Sequence, residues 1–290
     1  MSPRHEPTGS LLAISDLHLS HADNRTILDE LTPSTSQDWL IVAGDVGEIS
    51  TDIEKALGTL AERFAKVIWV PGNHELWTHR NDPLRLRGEE RYLHLVEACR
   101  RLGVVTPEDP FPVWRGAGGP VVIAPLFLLY DYSFLAPGTS TPRESLAKAY
   151  ENGIVCTDEV MLHPDPYPDR AAWCAARVAA TEARLAEIDP DLPTVLVSHW
   201  PLVREPTRIM YYPEFAQWCG TERTADWHVR YRARAAVYGH LHIPRTTVYD
   251  GVPFHEVSVG YPREWKPRGG HGGLRRILPE DAADTGTRGH

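Results

Sequence analysis

Short apolar runs of strand length recur along the chain, and most of them stop at a residue able to carry chemistry. LLAIS leads into Asp16, DWLIVAG into Asp45, KVIWVPG into Asn73, TVLVS into His199 and AAVYG into His240. These runs are rich in Val, Ile and Leu, the pattern of strands buried on both faces. VVIAPLF at 121–127 is another, and TTVYDGVPFHEVSVG reads as a late hairpin turning at Asp250 and Gly251. Between them, helical spacing predicts helices over 51–65, where Ile53, Leu57, Leu60 and Phe64 face the core, over 89–102, and over 169–188. Asp169 stands in the N-cap position of the last. Strands alternating with helices, followed by a hairpin, predict a layered α/β fold with a mixed sheet.

The stretch 137–168 is rich in Pro and Asp and reads as an insertion over the sheet of one domain spanning 1–265. From 266 to 290 the chain is a Gly- and Arg-rich tail, in which GLRRILP offers one last strand before a loose end. The balance of 30 basic against 39 acidic residues gives a net charge of −9, which argues against a nucleic-acid polymer as partner. A small phosphorylated substrate stays open, because bound cations can offset local carboxylate charge. No apolar run reaches the roughly 18 residues of a membrane span, and MSPRHEPTGS lacks the apolar region of a secretory signal. Cys99, Cys156, Cys174 and Cys219 form no CxxC pair, which argues against a disulfide framework or a thiolate zinc site and reads as reduced thiols in a cytoplasm. The sequence carries no signal for an oligomeric state.

Gathered together, the strand ends are Asp16-Leu17-His18, Gly44-Asp45, Gly72-Asn73-His74-Glu75, Ser198-His199 and Gly239-His240-Leu241-His242. In open α/β sheets, ligands bind beyond the carboxyl ends of strands. One Asp or His there is more often a cap or a core residue, but five such ends are hard to read as turns alone. Residues i and i+2 point to the same side of an extended segment, so Asp-x-His and His-x-His can each serve one cation. Carboxylate, imidazole and amide oxygen without thiolate suit manganese, zinc or iron.

DLH, GD, GNHE, SH and GHLH, in this order from Asp16 to His242, resemble the motifs of the calcineurin-like metallophosphoesterase superfamily. The resemblance implies a four-layer α/β/β/α sandwich with mixed sheets and two divalent or trivalent metal ions (Mn, Fe or Zn). Asp16, His18 and His242 would hold one ion, Asn73, His199 and His240 the other, and Asp45 would bridge them. His74 would be a catalytic non-ligand beside the leaving oxygen, oriented by Glu75. The implied activity is a metal-dependent phosphohydrolase in which a metal-activated hydroxide attacks phosphorus in line. GDVGEIS departs from the GDxxDRG of the protein Ser/Thr phosphatase branch. That leaves a small-molecule phosphomonoesterase as the first expectation. The alternatives are a phosphodiesterase, for example on cyclic nucleotides, and an inactive metal-binding scaffold. Aromatic and arginine residues outside the motifs supply the substrate candidates, Tyr130, Arg208, Tyr211, Tyr212 and Arg263.

Overall fold

The computed structural model describes residues 9–280. Its strands are β1 (Leu11–Ile14), β2 (Trp39–Val42), β3 (Lys66–Trp69), β4 (Val113–Trp114), β5 (Val121–Pro125), β6 (Thr194–Val197), β7 (Ala233–Tyr238), β8 (Arg245–Tyr249), β9 (Val252–Glu256) and β10 (Arg275–Leu278). They form two sheets, one in the order β10-β1-β2-β3 and one in the order β4-β5-β6-β7-β9-β8. The first is parallel except for β10. In the second, β5, β6, β7 and β9 run parallel while β4 and β8 pair antiparallel at the edges. Both sheets are therefore mixed.

The period-2 alternation of each strand divides the core in two. Leu11, Ala13, Ile41, Ala43, Ile68 and Val70 point from the first sheet onto Trp114, Ile123, Val195, Val197, Ala235 and Val237 of the second. Their neighbours Leu12, Ile14, Leu40, Val42, Val67 and Trp69 face outward, in the cluster that holds Ile53, Leu57, Leu60 and Leu95 from the helices Ser50–Arg63 and Gly88–Arg101. Helix Arg170–Ala186 adds Trp173, Val178 and Leu185 to that outer cluster. This is the expected layered α/β/β/α arrangement. Truncating one of the inter-sheet side chains to alanine carries the usual core cost of about 2–5 kcal/mol, so the platform beneath the strand ends is stiff.

The three helices expected from spacing form to within two residues, and the Asp169 carboxylate caps the last by accepting the Ala172 N–H at 2.7 Å. The hairpin turns where the sequence places it, with Asp250 and Gly251 both at positive φ (50° and 78°), the pattern of a type I′ turn. GLRRILP does form a strand, β10, but it pairs with β1 and closes one edge of the first sheet. Helix Ala22–Glu30 and helix Pro142–Glu151 have no counterpart in the sequence reading. In the second, Pro142 occupies the first turn and the Thr141 hydroxyl accepts the Glu144 N–H, so the proline that suggests a loop is a helix-starting residue. Residues 281–290 of the expected tail lie outside the described residues. Among the described residues no helix is long and apolar enough to cross a membrane, and the four cysteines are free and buried.

Candidate metal centre

Because β1, β2 and β3 are parallel, their carboxyl ends share one edge of the first sheet, and β6 and β7 deliver theirs likewise in the second. Beyond the strands the two sheets are tied together, with Ser15 N donating to the Val257 carbonyl at 3.0 Å and Val259 N to the Ser15 carbonyl at 2.9 Å. Asp16, His18, Asp45, Asn73, His199, His240 and His242 converge at this edge.

They do not converge by staying extended. Asp16, His18, Asp45, His240 and His242 all have φ between 43° and 70°. This corrects the i, i+2 argument: left-handed residues, not strand continuation, aim both members of each pair. Such residues cost on the order of 1–3 kcal/mol each and persist only when their surroundings over-determine them. Here the backbone does so, with Asp16 N, His18 N and Leu19 N donating to the carbonyls of Gly44, Asp45 and Val46, each at 2.9 Å. The loops also approach too closely for side chains. A Cβ on Gly72 would lie 2.1 Å from Asp45 Oδ1, and one on Gly239 would lie 2.2 Å from Asp16 Oδ2.

The donor atoms form two sets on either side of Asp45. In one, His242 Nε2 lies 3.0 Å from Asp16 Oδ1 and 3.1 Å from His18 Nε2. In the other, Asn73 Oδ1 lies 3.2 Å from His199 Nε2 and 3.1 Å from His240 Nδ1, and the two imidazole nitrogens are 3.2 Å apart. Asp45 Oδ2 sits between, 3.8 Å from His18 Nε2 and 3.4 Å from His199 Nε2.

Hydrogen bonding alone leaves this arrangement frustrated. His199 Nδ1 faces the Ala43 carbonyl at 2.9 Å, and His242 Nδ1 faces Glu264 Oε2 at 2.7 Å. Both partners only accept, so each ring carries a hydrogen on Nδ1 and leaves Nε2 to face carboxylate, amide oxygen and another imidazole. Once Nε2 gives up its proton, the donors crowded at 3.0–3.4 Å suit a cation between them, and an outward Nδ1–H bond to a carbonyl or carboxylate is how metal-ligating histidines are held. The residues present fit metal ions. The same carboxylates also draw protons. Burial lowers both rings, but Asp45 overrides it to bring His199 to about 9 and Asp16 overrides it to bring His242 to about 10. Burial and neighbouring imidazoles hold His18 near 4 and His240 near 3, so both are neutral donors at pH 7.

His74 stands beside these sets, with Nε2 3.9 Å from Asp45 Oδ2 and its backbone N–H donating to Asp45 Oδ1 at 2.9 Å. Its orienting carboxylate is Glu48, whose Oε1 is 2.8 Å from His74 Nδ1. The expectation that Glu75 orients His74 is therefore corrected. Glu75 is wholly buried and accepts the backbone N–H groups of Gly72 and Asp45 at 2.8 Å and of Val46 at 2.6 Å, which ties the loops carrying Asp45 and Asn73 together. Arg91, also buried, binds the Glu48 and Glu75 carbonyls and the Asp82 carboxylate. Burial lowers the His74 pKa, while Asp45 and Glu48 raise it further, so the net direction is up.

The family description "Calcineurin-like phosphoesterase" matches residues 9–244. The chain belongs to that family. It is a phosphoric ester hydrolase, and 58% identical over 275 residues to the [acyl-carrier-protein] phosphodiesterase PptH of Mycobacterium tuberculosis, an overlap of 95% of this chain and 84% of that protein. It superposes on a crystal structure of phosphopantetheinyl hydrolase PptH from the same organism with a TM-score of 0.93, covering 94% of this chain and 97% of the other. A probable cyclic nucleotide phosphodiesterase of Rhodopseudomonas palustris is 38% identical over 85 residues, 28% of this chain and 29% of that protein.

The substrate candidates of this phosphoesterase scatter. A cleft of about 560 Å³ opens beside His74 and is lined by His21, Asp23, Glu48, Trp77, Tyr261, Pro262 and Arg263. Of the predicted residues only Arg263 lines it. Tyr130 is corrected: its ring is completely buried against Tyr132 and Trp200, out of reach of a ligand. Arg208 pairs with Glu205 and lines a different surface hollow with Arg204 and Asp250. Tyr211 and Tyr212 stack edge-on against each other, and Tyr211 is 86% exposed. Tyr261, which the aromatic and arginine pattern of GYPREW also offers, lines the cleft. Sequence reasoning missed Glu48, Asp158, Glu264 and Trp77. Glu48 sits three residues after Asp45 within GDVGEIS, and Glu264 follows Arg263, so local position could have flagged them. Asp158 had no such signal; its Oδ1 accepts the Asn73 amide N–H at 2.9 Å and the Trp77 indole N–H at 2.7 Å, and it comes from the expected insertion.

Proposed function

We propose that this chain is a dinuclear metal-dependent phosphodiesterase that releases phosphopantetheine from acyl carrier protein. The observation that carries the reading is the 58% identity across 95% of the chain to an [acyl-carrier-protein] phosphodiesterase. It favours a diester over the small phosphomonoester that stands first in the sequence reading. The inactive-scaffold alternative has no support from the site, because every motif ligand is present and aimed inward.

Asp16, His18 and His242 would hold one ion, Asn73, His199 and His240 the other, with Asp45 shared, and the nitrogen and oxygen donors suit Mn, Fe or Zn. When bound, such ions supply positive charge to phosphoryl oxygens and a strong nucleophile at neutral pH. The chain's own residues do the rest. Glu48 accepts a hydrogen bond from the Nδ1–H of His74, so the Nε2–H points to the cleft, where the Tyr261 hydroxyl lies 3.4 Å away. The upward shift of its pKa favours the protonated ring that a general acid needs. Water adds to phosphorus and gives up a proton to solvent, the bond from phosphorus to the carrier-protein oxygen breaks, the His74 proton goes to that oxygen, and solvent returns a proton to His74. The products are phosphopantetheine and a free hydroxyl on the carrier protein.

Paired hydrolysis of bis-p-nitrophenyl and p-nitrophenyl phosphate by metal-free protein reloaded with Mn²⁺ tests the diester reading. Faster turnover of the diester is expected. Turnover of the monoester alone would return the phosphomonoesterase reading to first place.

A further inference from the structure

We infer that Tyr261 is a further catalytic residue of this centre, its hydroxyl donating a hydrogen bond to the ester oxygen that leaves phosphorus. This rests on the proposed function and deepens it, because His74 there gives its proton to that same oxygen.

The backbone at Tyr261 is pinned from three sides. Gly260 N donates to the Asp16 carbonyl at 3.1 Å, the Gly260 carbonyl accepts the Asn24 amide N–H at 3.0 Å, and Tyr261 N donates to Glu264 Oε2 at 2.8 Å. Gly260 has φ 82°, and a Cβ there would stand 2.7 Å from Glu264 Oε2. The ring is then walled in. Its centre lies 4.5 Å from that of His18 and 4.8 Å from that of His242, and the Arg263 guanidinium rests 5.0 Å from it. A phenylalanine would make each of these ring contacts. Packing therefore accounts for the ring and leaves the hydroxyl unexplained.

Tyr261 lines the cleft beside His74. Among the described residues the one hydrogen-bond partner of its hydroxyl is His74 Nε2, at 3.4 Å. A well-formed bond is about 2.7–3.0 Å long, so this one is loose and the hydroxyl hydrogen is free to turn to a better acceptor. An oxygen that takes the Nε2 proton must come within about 3 Å of Nε2. It then lies beside the Tyr261 hydroxyl, since both oxygens approach one nitrogen from the cleft side. Negative charge grows on that oxygen as its bond to phosphorus stretches, and a donor already fixed at the place where charge develops acts most strongly in the transition state. Tyr261 keeps its own proton, and the proton transferred is the one on His74.

The test compares the Mn²⁺-loaded parent chain with Tyr261→Phe, which removes the oxygen and keeps the ring. On methyl aryl phosphates of graded leaving-group basicity, kcat should fall about 100-fold for the most basic leaving group and progressively less toward p-nitrophenol, with KM little changed. A phosphonate with a methylene in place of the leaving oxygen offers no acceptor at that point, so its affinity by calorimetry should be the same for parent and variant. Equal losses along the series, or no loss, would overturn the role. So would weaker binding of the phosphonate by the variant, which would assign the hydroxyl to a phosphoryl oxygen instead. A parallel series of aryl monoesters separates this inference from its parent. A steeper leaving-group dependence on monoesters with no diester turnover would uphold Tyr261 and count against the proposed function. Diester turnover with an unchanged dependence would uphold the proposed function and sink the inference.

Discussion

His74 Nδ1 lies 2.8 Å from Glu48 Oε1, and this bond, not one to the adjacent Glu75, sets the tautomer and tilt of the ring. Glu48 is one of the groups that raise the His74 pKa, and a general acid works only while protonated. Glu48→Gln should therefore move the alkaline fall of kcat to lower pH. Turnover of an alkyl diester should drop about 10–100-fold, with a smaller drop for p-nitrophenyl esters, whose leaving group needs no proton. Metal content, read by plasma mass spectrometry, should stay at the parent level.

Glu75 acts on the backbone. Glu75→Ala strips the buried N–H groups of Gly72, Asp45 and Val46 of their acceptor. At about 1–3 kcal/mol per unmet donor, metal-free protein should lose roughly 3 kcal/mol or more. Chemical denaturation of that form is the check. A change confined to kcat with unaltered stability would return Glu75 to the catalytic role first expected of it.

Asp158 fixes the Asn73 amide so that Oδ1 faces His199 and His240. Asp158→Ala frees the amide to rotate. Affinity for one of two Mn²⁺ equivalents should fall about 10–100-fold, with the other unchanged, as read by calorimetric titration.

Metal loading should depend on pH with a definite sign. His199 titrates near 9 and His242 near 10, both above neutral. Below those values each ring holds a proton that an incoming cation must displace. Apparent Mn²⁺ affinity should rise from pH 6 to pH 8, with proton release visible in a weakly buffered titration. Affinity that is flat across this range would contradict the assignment of His199 and His242 as ligands.

The candidate metal ligands are legible in sequence because parallel strands deliver their carboxyl ends to one sheet edge, so DLH, GD, GNHE, SH and GHLH report position as well as chemistry. What supports them is less legible. Glu48 meets His74 across 26 residues, with only its place in GDVGEIS to hint at it, and Asp158 meets Asn73 across 85, a contact that no local pattern encodes. Aromatic residues after a strand fit a core as well as a pocket, and Tyr130 turns inward to pack on Trp200. The left-handed backbone of Asp16, His18, Asp45, His240 and His242 is also absent from the pattern, because Asp and His in αL look the same in sequence as Asp and His in a strand.

The most direct test of the account is the intact mass of phosphopantetheinylated acyl carrier protein after incubation with Mn²⁺-loaded protein. The account predicts loss of one phosphopantetheinyl group, recovery of phosphopantetheine in solution, and no loss with Asp45→Asn protein or with chelator. A carrier protein of unchanged mass under conditions where bis-p-nitrophenyl phosphate is turned over would contradict it.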